Sequence, residues 1–127
     1  MLTNARVEEV RRTVACIVAS PLVDGYKIGL TVHPTRKRFL EWRKWDYEHM
    51  VVLADSLSCR DALDLEERLW AACRSDADSL LYKKWEDGTR DGPYRRSGGG
   101  RDIHEDEARN AIYMIWWEPE REAKKSL

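Results

Sequence analysis

The sequence has one phenylalanine, three cysteines and four prolines in 127 residues, and it lacks any long apolar run. Each scarcity excludes something. A membrane-spanning helix needs about 20 consecutive apolar residues, so no membrane partner is expected. The opening "MLTNARVEEVRR" alternates acids and bases, unlike a secretion signal, and a cytoplasmic location is the expectation. Cys16, Cys59 and Cys73 are odd in number and lack metal-ligand spacing, so they read as reduced thiols rather than a zinc site. Charge of one sign is missing too: 22 lysines and arginines stand against 23 acids, for a net charge of −1. The sum therefore announces no polyanionic partner.

Large apolar side chains are plentiful. Six tryptophans, five tyrosines and a 43% hydrophobic content supply enough surface to offset the chain entropy lost on ordering. A length of 127 residues fits one domain, residues 1–127. Charge is uneven within it. Lys27, Arg36, Lys37, Arg38, Arg43 and Lys44 face Glu41 alone between positions 27 and 44, which makes a local basic patch.

Periodicity predicts the elements. Thr3 or Asn4 caps a short helix with Val7, Val10 and Val14 on one face. "VACIVAS", residues 14–20, is β-branched and bounded by Pro21, and reads as a strand. Asp24-Gly25 is hairpin chemistry that returns the chain antiparallel along "YKIGLT". Pro34 suits the first turn of a helix over residues 35–45, and "EHMVVLAD" is a third strand. Ser58 and Asp61, at capping spacing, open a helix to Cys73. The Gly-, Asp- and Arg-rich residues 86–101 read as a flexible loop. A last helix is expected over 104–118, with a strand at "IYMIWW" as the alternative. The expected fold is α+β: a small three-stranded antiparallel or mixed sheet flanked by helices.

Two charges fall on the wrong side of their helices. At about 100° per residue, Ala62, Leu65, Leu69 and Cys73 share an arc, and Glu66 lies inside it, about 40° from Ala62. A carboxylate there needs a partner, a metal or water, because burying it bare costs several kcal/mol. In "TRKRFLEWRKW", Arg38 lies in bearing between Trp42 and Trp45, while Lys37 and Lys44 face outward. Arg38 either stacks on the tryptophans or grips a phosphate through paired hydrogen bonds.

The set "YKIGLT", "HPTRKRF", "HMVVLADS" and "DALDLEERLW", spread over residues 14–74, resembles the GIY-YIG nuclease superfamily in order and approximate spacing. The resemblance implies a GIY-YIG-like domain that hydrolyses DNA phosphodiester bonds with one divalent ion, Mg²⁺ or Mn²⁺, of the kind found in phages and mobile elements. Carried over, Gly29 matches the motif glycine, Glu66 the metal ligand and Arg38 the contact to the scissile phosphate. Cys16 and Lys27 stand where the family carries its motif tyrosines, and Lys27 becomes a phosphate contact. The other expectation keeps the fold without the chemistry, as a DNA-binding or protein-interaction module.

Further candidates surround these. His33, four residues after Gly29, is the preferred general base over His49. Thr31, Arg36 and Lys37 extend the substrate contacts, and Arg95 and Arg96 add salt-sensitive backbone contacts from the loop. Trp116 and Trp117 are candidates for a partner or homo-oligomer contact.

Overall fold

A computed structural model describes residues 2–32, 35–44, 46–85 and 109–119, with the backbone only for Thr35, Arg36 and Arg38. The elements are α1 (Asn4–Val18), β1 (Gly25–Thr31), α2 (Thr35–Arg43), β2 (His49–Leu57), α3 (Cys59–Cys73), α4 (Leu80–Lys83) and β3 (Asn110–Trp117). Three strands form one antiparallel sheet in the order β1-β3-β2, as the α+β expectation required. Among the described residues no helix is long and apolar enough to cross a membrane.

The last strand in sequence is the central one. Six of its eight residues, Asn110 to Ile115, are buried, because helices cover both faces of the sheet and every side chain of a central strand then meets a core. The helix expected over 104–118 is therefore corrected across 110–117. A continuous apolar run suits both periods, and here the pairing partners on each side decide it. The strand and hairpin expected from residues 14–20 are corrected too. Those residues continue α1 to Val18, since Val10, Val14 and Val18 recur at helical spacing and are all buried. The helical stripe overrides the β-branched character of the segment. β1 consequently pairs with β3, in the register Gly29↔Tyr113, instead of with residues 14–20.

Other signals hold. The Thr3 side chain accepts from Arg6 N–H at 3.1 Å and the Ser58 side chain from Asp61 N–H at 3.1 Å, so both predicted caps form. The helix expected over 35–45 stops at Arg43, where Asp46 adopts φ 68 and its N–H bonds the Arg43 carbonyl. Beyond residue 75, α4 was not anticipated. Its Ser79 cap accepts from Tyr82 N–H at 3.2 Å.

The sheet divides the apolar interior in two. Tyr26, Ile28, Leu30, Ile112 and Met114 join Val10, Val14 and Val18 of α1 and Ala62, Leu65 and Leu69 of α3 in the larger cluster. Trp42 of α2, Tyr47, Tyr113 and Ile115 form the smaller one, on the opposite face. Strand alternation fixes the assignment, since neighbouring residues of β1 point to opposite faces.

Gly29 belongs to this packing. A Cβ there would run into the hydroxyl and ring of Tyr113 across the ladder, and Tyr113 is itself fully buried. Gly29→Ala is expected to destabilise the protein by about 1–3 kcal/mol through overpacking. Combined with Tyr113→Leu, which vacates the space, the loss should be smaller than the sum of the two single losses. Denaturant melts of the four proteins check this; strict additivity would refute the contact.

Candidate metal and phosphate-binding surface

The two helices that carry the expected catalytic pair sit on opposite faces of the sheet. Trp42 anchors α2 on one side: it is fully buried and donates from Nε1 to the Tyr113 hydroxyl at 2.7 Å. It also stacks edge-on against Tyr47, with ring centroids 5.2 Å apart. Trp70 anchors α3 on the other side, donating from Nε1 to the Ile28 carbonyl at 3.2 Å. The sheet, with β1 buried along its whole length, lies between them. The expectation that both helices pack on one side of the sheet is therefore corrected: α2 and α3 lie on opposite faces.

Glu66 is where its bearing placed it, inside the apolar arc of α3. It is 3% exposed and its Oε2 has no hydrogen-bond partner. Burial alone pushes its carboxyl up to about 8, so at neutral pH the side chain is a neutral acid. Among the described residues Glu66 also stands apart from the acids and histidine whose ligand atoms come together, Glu48, His49 and Glu118.

The hairpin residues are likewise committed to packing. Lys27 is 5% exposed, its ammonium 5.3 Å from the centroid of the Trp42 ring, and Thr31 is fully buried. The space a substrate would need beside Gly29 holds Tyr113. None of the three is open to a DNA backbone, which corrects their assignment as substrate contacts. Tyr26 faces away from Lys27, into the larger cluster, where its hydroxyl donates to the Leu81 carbonyl at 2.7 Å. Burial holds that phenol well above its ordinary range.

α2 does present cations. Lys37, Arg43 and Lys44 are exposed, and the Arg43 guanidinium lies 5.8 Å from the Phe39 ring centroid. The side chains of Arg36 and Arg38 lie outside the described set. So do His33, Arg95, Arg96 and the loop over 86–101.

A cluster that could hold a metal ion forms four residues beyond Lys44. Glu48, His49 and Glu118 each offer a ligand atom, all within 4.8 Å of one another. The ends of β2 and β3 create it. The register His49↔Trp116 sets the histidine two residues from Glu118 in space, although 69 positions separate the two in sequence. His49 Nε2 meets Glu118 Oε2 at 2.7 Å, and Glu118 N–H donates to Glu48 Oε1 at 2.8 Å. The imidazole also lies against Trp116, with centroids 5.4 Å apart. Two carboxylates and an imidazole, partly open to water, make a donor set for a divalent ion.

Sequence reasoning ranked His49 below His33 and passed over both glutamates. Only the Glu48-His49 dipeptide hinted at the cluster, because the third ligand arrives through strand pairing. No protein-family model matches the chain, and no curated protein or solved structure matches it significantly.

Trp42 should be the fastening point of the cationic helix. Trp42→Phe is expected to cost about 1–3 kcal/mol by removing the donor to Tyr113. It should also speed amide exchange in α2 more than in α3, as read by exchange mass spectrometry. Equal acceleration in both helices would show that Trp42 does not hold α2 locally.

Proposed function

We propose that this domain is a metal-dependent phosphodiesterase of DNA, with its ion at Glu48, His49 and Glu118 instead of Glu66. The reading keeps the substrate class implied by the GIY-YIG resemblance and moves the metal to the cluster that is open to water. The observation that carries it is the adjacency of the two features. Exposed cations close α2, and the carboxylate-imidazole cluster begins four residues later.

The division of labour follows from charge. Lys37, Arg43 and Lys44 neutralise backbone phosphates without reading sequence. The chain's net charge of −1 matters less than this local density, because screening confines the contribution of distant acids to about 8 Å at physiological salt. A divalent ion held by the cluster would polarise a phosphoryl oxygen and stabilise the leaving oxygen. Imidazole in the donor set suits Mn²⁺ better than Mg²⁺, which prefers oxygen ligands alone.

A second reading is binding without hydrolysis. It is favoured by Lys27 and Thr31 being packed away and by Cys16 standing, exposed, on a helix instead of a catalytic strand.

Supercoiled plasmid separates these. With Mn²⁺, wild-type protein and Glu66→Gln are expected to nick it, whereas His49→Ala and Glu118→Gln should lose at least tenfold in rate. Lys37→Ala and Arg43→Ala should weaken binding and each lower the salt slope by about 1. Salt-dependent binding without nicking selects the second reading. Nicking lost in Glu66→Gln but kept in Glu118→Gln would return the metal to α3 and end the present assignment.

A further inference from the structure

Glu66 lies outside the surface just described, and its burial has a use of its own. Glu66 is buried on the face of α3 that carries Ala62, Leu65, Leu69 and Cys73, and those residues share the larger cluster with α1 (Val10, Val14, Val18), β1 (Tyr26, Ile28, Leu30), β2 (Ala54) and β3 (Ile112, Met114). Among the buried residues of that cluster only Tyr26 and Cys73 titrate, and burial keeps both in their neutral forms at physiological pH. The charged neighbours on α3 are turned to solvent. Arg68, for example, is engaged by Asp64 at 3.1 Å and by the Asn4 side-chain carbonyl at 2.8 Å. Among the described residues no ion pair to Glu66 forms, and its Oε2 has no hydrogen-bond partner. A carboxyl in this position is tolerated as the neutral acid and not as the anion.

We propose that Glu66 is a proton-operated latch between α3 and the sheet: with the proton on, α3 is seated; with it released to solvent, the helix lifts to bring the carboxylate to water. Trp70, one turn further along the same face, loses its bond to the Ile28 carbonyl as the helix lifts. α2, on the opposite face and anchored by Trp42, stays in place. The sign is fixed by the direction of the shift. The folded-state value, about 8, lies above the ordinary 4.5, so the latch contributes its full stability below about pH 4.5 and loses it as pH rises to 8.

Three measurements on the full chain test this. First, the ¹³C shift of the Glu66 carboxyl should report a neutral acid at pH 6.5; an ionised carboxyl at that pH with α3 still protected overturns the latch. Second, the unfolding constant of wild type should rise about tenfold per pH unit between pH 6 and 8 relative to Glu66→Gln, and then level. Parallel profiles for the two proteins overturn it. Third, amide exchange at pH 9, corrected for intrinsic rate, should open α3 and spare α2, and Trp70 fluorescence, identified by Trp70→Phe, should shift with it. Simultaneous opening of both helices overturns the local latch in favour of global unfolding. The carboxyl titration needs no variant, so the proposal stays open to refutation even if Glu66→Gln folds poorly.

Discussion

Everything in this molecule is arranged around a central strand that must be apolar on both sides. β3 carries Ile112 and Met114 into one core and Tyr113 and Ile115 into the other. Its neighbours on either side share that alternation through their register. Among the described residues the sheet is three strands wide, and losing β3 would leave β1 and β2 without the ladder they share. The two halves of the interior then have no common wall. A helix on either side can be understood only by asking which face of β3 it covers.

That partition governs chemistry as well as packing. Two groups on helices from opposite sides cannot cooperate at one reacting atom, however close their sequence spacing looks to a motif. Groups at the ends of adjacent strands can, since pairing brings them within hydrogen-bond reach and leaves them at the rim of the sheet. Glu48, His49 and Glu118 meet for this reason, whereas Arg38 and Glu66 ride on helices that the sheet keeps apart. Gly29 makes the same point from the other direction. A glycine in a strand marks close approach, and here the approaching group is the Tyr113 ring of the protein's own centre.

Local signals were legible in the sequence where the cause is local. The Ser58 cap, the apolar arc of α3, β1 and β2 follow from spacing and capping chemistry, and the inward bearing of Glu66 follows from helix geometry. The segment over 14–20 misled because Val14, Ile17 and Val18 satisfy a strand's composition while the longer Val10-Val14-Val18 stripe satisfies a helix's period. "IYMIWW" misled because full burial erases the alternation that distinguishes strand from helix. The metal-capable cluster was invisible for a different reason. Its members come together through a register set by all of β3, and no short-range pattern encodes a contact between positions 49 and 118.

Bearing tells which way a side chain points and nothing about what waits there. For Glu66 the sequence argument allowed a partner, a metal or water, and its buried Oε2 has no hydrogen-bond partner. The acid instead carries a proton, and the energetic burden that a buried anion would impose is deferred to higher pH. A neutral acid in a core can be replaced by glutamine with little change in shape, so a carboxyl is not needed for packing alone. What glutamine cannot reproduce is a helix contact whose strength changes with one proton. The exposed cations of the far face, held independently through Trp42 and Tyr113, would feel that change only through the strands they share.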